Sequence, residues 1–100
     1  MIARFNFFEL EDEAGYLLDV QSDLLSSLKT RVVVPLIPRS SAPVSAQRLN
    51  PIFSIKGQEL VMATQFMAAV PVRESRSPAG NLADRRDEIS TALDMLFLGF

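Results

Sequence analysis

Three successive valines, Val32-Val33-Val34, run from Arg31 into Pro35-Leu36-Ile37, and no other segment restricts the fold as strongly. β-Branched side chains are stiff at χ1 and suit a pleated surface better than a helix, so residues 31–37 read as a strand. The run is apolar without alternation, which implies burial on both faces of a sheet. Pro35 has no N–H to give to a ladder, so this strand must lie at an edge or be broken there.

The segments around it read as further short strands. Residues 4–10 form a Phe-rich strand, with Phe5 and Phe7 on one face and Phe8 on the other by the period-2 rule. The acidic turn 11–15 leads to a second strand over 16–21. Residues 22–30 connect it to the valine run and allow one helical turn, capped by Ser22 or Asp23. Residues 38–51, rich in Ser and bounded by prolines, read as a long surface loop, either a partner-binding segment or a plain connector. Residues 52–55 and 58–62 form a hairpin with Gly57 in its turn. Residues 64–69 turn the chain, 70–72 make a short strand limited by Pro71, and 74–80 form a linker.

The remainder reads as one helix opened by Asn81 as N-cap, with Asp84 three residues later. Leu82, Ile89, Ala92, Leu93, Leu96 and Phe97 follow helical spacing and form one apolar stripe. Met95 and Leu98 fall beside that stripe. The chain closes on Met95-Leu96-Phe97-Leu98-Gly99-Phe100, with almost nothing polar. Burying one large apolar side chain is worth roughly 1.5–3 kcal/mol, so these groups call for a cover: the protein's own core, a second subunit or another molecule.

The architecture expected is mainly β with a C-terminal helix, in a single domain over residues 1–100. With 48% hydrophobic and 22% charged residues among 100, the chain can build a core, though a modest one that a homodimer would enlarge. A net charge of -2 speaks against a module held to nucleic acid by a basic field. Arg73, Arg76, Arg85 and Arg86 make a local basic cluster or an ordinary solvated surface. Residues 1–6 show no signal-peptide pattern and no stretch approaches 18 apolar residues, so a cytoplasmic protein with no membrane contact is expected.

The chain has no Cys and no His, which removes thiolate and imidazole catalysis and the usual zinc patterns. Gly15, Gly57, Gly80 and Gly99 are isolated, so no phosphate loop is present. Asp19 and Asp23 are four apart around a polar turn. They suit either a carboxylate pair or, more simply, local bonds to backbone N–H groups. Neither a catalytic group, a metal site nor a cofactor is expected.

Three segments in order, Asp19-Val20-Gln21-Ser22-Asp23-Leu24-Leu25, Arg31-Val32-Val33-Val34-Pro35-Leu36, and Val70-Pro71-Val72 followed by the final helix ending Gly99-Phe100, resemble the CcdB family of toxin–antitoxin toxins. The resemblance runs essentially end to end. It implies an SH3-like β-barrel with a C-terminal α-helix, a homodimer, and a non-enzymatic poison that binds the DNA gyrase A subunit and traps its cleaved-DNA complex. It further implies neutralisation by a cognate, largely disordered antitoxin, transcription autoregulation, and no direct DNA binding by the toxin alone. In the family the gyrase contact centres on the last three residues, here Leu98, Gly99 and Phe100. Leu98 stands where the best-known version has Trp, and leucine cannot supply a cation–π contact, worth about 0.5–2 kcal/mol. Phe100 offers another aromatic nearby. Asp94, Ser22 and Leu24 carry over as flanking contacts. Phe5 and Phe8 match an opening aromatic pattern or are simply barrel core. The resemblance assigns no antitoxin-binding residue.

Two other functions compete. Related toxins with the same barrel are endoribonucleases, which here would need Arg73, Arg76 and Arg85 on phosphate and Glu74 as base. An inactive relative that only binds antitoxin is the third reading.

Overall fold

The computed structural model describes residues 3–42, 46–72 and 77–100. Its strands are β1 (Asn6–Glu9), β2 (Tyr16–Asp19), β3 (Thr30–Pro38), β4 (Ile52–Ile55), β5 (Gln58–Met62), β6 (Ala68–Pro71) and β7 (Gly80–Asn81), followed by one helix, α1 (Arg86–Leu98). All pairings are antiparallel, in the order β4-β5-β3-β2-β1-β7, with β6 also paired to β3. The sheet curls on itself as a half-barrel, the SH3-like β-barrel with a C-terminal helix.

The valine strand organises this sheet. On one flank β3 pairs β2 from Asp19↔Val33 to Tyr16↔Leu36. On the other it pairs β6 through Val33 and then β5 from Leu36 onward. Pro35 falls where the partner changes. Its carbonyl accepts from the Ala63 N–H at 2.9 Å, so the missing N–H faces a gap between partners. Of the two expectations for Pro35, the edge position does not occur: β3 is interior, and the ladder is interrupted on one flank.

Alternation along the strands divides the sheet into two faces. Tyr16, Leu18 and Val20 of the β2 segment and Val34 and Leu36 of β3 enter the core with Phe7, Phe53, Leu60 and Met62. Phe7 and Tyr16 meet edge-on, ring centroids 5.1 Å apart. Phe5 joins this core but lies outside β1: its φ of 72° breaks the extended run, so the strand begins at Asn6. The hairpin β4–β5 turns as read, with Lys56 at φ 52° and Gly57 at φ 78°. Positive φ at both central residues matches the twist of the flanking strands.

Three expectations for the connecting segments change. The loop over 38–51 is not structureless: Arg39–Ser41 forms a 3-10 turn, and buried Asn50 ties the end of the loop to the barrel by donating to the Met62 carbonyl at 2.9 Å. Its residues 43–45 lie outside the described residues. Strand β6 begins at Ala68 rather than residue 70, because the 3-10 turn Thr64–Phe66 has already reversed the chain. Gly80, read as linker, pairs with Phe7 of β1. The rest of that linker includes 73–76, outside the described residues.

Helix α1 follows a 3-10 turn, Ala83–Arg85, so it starts later than Asn81. The Asn81 side-chain oxygen does accept from the Ala83 N–H at 2.7 Å and fixes the turn that leads into the helix. Ile89 and Ala92 are fully buried, and Leu82 and Leu93 pack against the same core. Phe97 departs from the expected stripe and is 67% exposed. Ile89, Ala92 and Leu93 already fill the inward arc, and eight residues on from Ile89 the helix has rotated Phe97 to its edge.

Candidate functional site

Two short stretches present apolar side chains to solvent. The first is the end of α1. At about 100° per residue, Leu98 falls on the side of the helix opposite Ile89. It is 59% exposed, and Phe100 is 72% exposed. Gly99 ends the helix in the left-handed conformation at φ 81°, its N–H bonded to the Met95 carbonyl at 3.1 Å. That geometry turns Phe100 away from the helix axis. Asp94, one turn earlier, is also exposed.

The second stretch follows β2. The Ser22 hydroxyl accepts from the Leu24 N–H at 3.2 Å and caps the 3-10 turn Asp23–Leu25. The Asp23 carboxylate accepts from the Arg4 N–H at 2.8 Å, which anchors the turn to the start of the chain. Leu24 at the apex is 94% exposed, with Leu25 and Leu28 about half exposed. A tight polar-capped turn thus holds leucines outward, against the ordinary hydrophobic preference.

Beneath this turn lies a polar cluster that single-residue reading misses. Arg31 on β3 and Asp19 on β2 are both buried and share two hydrogen bonds of 2.8 and 2.9 Å. Arg31 also donates to the Gln21 carbonyl at 3.1 Å. The Gln21 side chain accepts from the Val32 N–H and donates to the Leu25 carbonyl. Asp19 further accepts from the Gln21 N–H at 3.0 Å, the local backbone bond expected of it. Asp23 is only 3.9 Å from the Arg31 guanidinium but exposed, so Asp19 and Asp23 sit around one arginine and serve structure. The signal was the alternation Asp19, Gln21, Arg31 across paired strands, which becomes legible only when the register is known.

The eight residues named from sequence therefore separate. Asp94, Leu98, Gly99 and Phe100 belong to the helix end; Ser22 and Leu24 belong to the turn. Phe5 is core, its ring beneath the Arg4 guanidinium at 4.6 Å. Phe8 is half-buried on the face of the sheet opposite Phe7. Exposed Leu25, Leu28, Phe66 and Phe97 are not among those eight, although the Leu24-Leu25 pair and Leu28 signal an apolar turn.

Of the groups an endoribonuclease would use, Arg73, Glu74 and Arg76 lie outside the described residues. Arg85 is engaged with Glu88, one pair of their atoms 2.8 Å apart, and stacks over the Phe53 ring at 4.9 Å. This bond raises the Arg85 pKa and lowers that of Glu88. No helix among the described residues is long and apolar enough to cross a membrane.

A small curled barrel thus sets leucine and phenylalanine outward at a capped turn and at a helix end. The family model described as CcdB protein matches residues 4–99, and the chain belongs to that family. Members are toxins of toxin–antitoxin systems that act on gyrase without enzymatic chemistry, with antitoxin and gyrase as their general partners.

Proposed function

We propose that this protein binds the DNA gyrase A subunit, as a homodimer, and traps gyrase on cleaved DNA without making or breaking a bond itself. A cognate antitoxin would neutralise it. Leu98, Gly99 and Phe100 carry the contact, with Asp94, Ser22 and Leu24 beside them. The structural observation that supports this reading is the outward setting of Leu98 and Phe100 on a helix whose other side is buried to the core. Family membership over residues 4–99 supports it independently. Leucine at 98 gives area without a ring, so Phe100 supplies the aromatic part of the wedge.

Deletion of residues 98–100 tests the proposal. Growth arrest on expression and capture of the gyrase A subunit should both disappear, while the unfolding midpoint and dimer mass stay as in the parent. A truncated chain that still arrests growth sinks it.

A further inference from the structure

Leu24 is 94% exposed, so its side chain contributes almost no packing to the turn that carries it. Hydrogen bonds must hold that turn instead. Ser22 and Asp23 close it on itself and tie it to Arg4. A further tie comes from the buried side, through Gln21, which is 8% exposed.

Beyond the pair Asp19↔Val33, strands β2 and β3 share one more backbone bond, from the Val20 N–H to the Val32 carbonyl at 3.1 Å. The reciprocal bond is replaced. The Val32 N–H donates to the Gln21 side-chain oxygen at 2.9 Å, and the Val20 carbonyl accepts from Arg4 Nε at 3.0 Å. A backbone N–H can only donate, so the Gln21 oxygen must face Val32 and its amide nitrogen must face the turn. There Nε2 donates to the Leu25 carbonyl at 3.2 Å, an oxygen that also accepts from the Leu28 N–H at 3.1 Å. The Gln21 backbone is fixed too, its N–H on Asp19 and its carbonyl on Arg31. Three of these four bonds bind Gln21 to the paired strands, and the fourth reaches the leucine turn.

A leucine on a loose turn has to be ordered when a partner binds, and that ordering lowers affinity; a turn ordered beforehand avoids the loss. We infer that Gln21 is a positioning residue for the gyrase contact: its amide carries the rigidity of the Asp19–Arg31 pair to the turn and presents Leu24 already ordered. Buried as it is, Gln21 acts through the turn rather than by touching the partner. This rests on the gyrase-binding reading above and on Leu24 as one of its contacts.

Gln21→Glu tests it, since this change keeps the oxygen that meets Val32 and removes the donor to Leu25. Affinity for the gyrase A subunit, measured well below the unfolding midpoint, should fall about three- to tenfold, the ordering cost of one or two side chains. Made on top of Leu24→Ser, the same change should alter affinity by less than about twofold, because the residue it positions is gone. NMR order parameters of the Leu24 and Leu25 amides should be about 0.85 in the parent and fall towards 0.6 in Gln21→Glu. An equal loss of affinity in both backgrounds, or none in either, overturns the positioning role and leaves the gyrase reading standing. Parental affinity in Leu24→Ser also overturns it, with Leu98 to Phe100 left as the contact. Should Gln21→Glu fail to fold, the parent decides: turn amides near 0.85 support the role and values below about 0.6 overturn it. If the parent does not bind the gyrase A subunit at all, the reading and this inference fall together.

Discussion

The polar floor around Arg31 and the apolar turn around Leu24 are neighbours in the chain and opposites in solvation. Asp19, Gln21 and Arg31 are charged or polar and buried; Leu24, Leu25 and Leu28 are apolar and exposed. Both invert the usual sorting of residues, for different reasons. The buried cluster satisfies nearly all its groups internally and locks β2 to β3, so it serves the fold. The exposed leucines bury at most about half of their surface within the subunit, so they contribute less to its core than to its surface.

Perturbing each side should separate these roles. Asp19→Ala leaves Arg31 charged in the interior without its buried carboxylate, and should cost about 3–5 kcal/mol in urea unfolding, the largest effect expected. A loss below about 1 kcal/mol would mean that the cluster is not a unit. Leu24→Ser should sit at the other extreme, with stability within about 0.5 kcal/mol of the parent and weakened capture of gyrase A. Equal stability losses in the two variants would erase the distinction drawn here.

The helix end offers an intermediate case. An alanine side chain at 99 would meet no atom within 4 Å, so Gly99→Ala suffers only from the positive φ. A cost of about 1–2 kcal/mol is expected in thermal unfolding, accompanied by misdirection of Phe100 and loss of growth arrest. Retained toxicity would show that the left-handed turn does not aim the ring.

A small effect, one that depends on pH, belongs to the surface pair Arg85–Glu88. The Glu88 pKa is depressed in the folded state by the hydrogen bond from Arg85, so its stabilisation is present above the unfolded carboxyl pKa and fades as pH falls through the folded value. Because both side chains are substantially exposed, Glu88→Gln should change stability by about 1 kcal/mol or less at neutral pH. The variant and parent should converge in acid. A difference that grows towards low pH would contradict the sign.

Much of the fold was legible because local rules agreed. The valine run, the Lys56-Gly57 turn and the helical spacing of Ile89, Ala92 and Leu93 each gave the right element from neighbours a few residues away. Pro35 was legible only in part: its missing N–H demanded a break, but whether that break fell at an edge depended on β5 and β6, far along the chain. Asn50 looked like loop composition and is a buried anchor, since its partner Met62 is distant in sequence. For the candidate site, Leu98 and Phe100 were legible as apolar groups off the helical stripe. Phe97 was misplaced because it falls at the edge of the helical arc, and spacing does not tell how wide an arc the core covers.

The order of side chains by itself determined the β-rich class, the final helix, the absence of imidazole and thiol chemistry, and the resemblance to CcdB. All of these are properties of residue type and short spacing. Only the tertiary structure decided that Arg31 would meet Asp19 and that Phe5 would face inward. Those outcomes depend on register between distant strands, which is settled by the collective burial of a core and leaves no mark on any one segment.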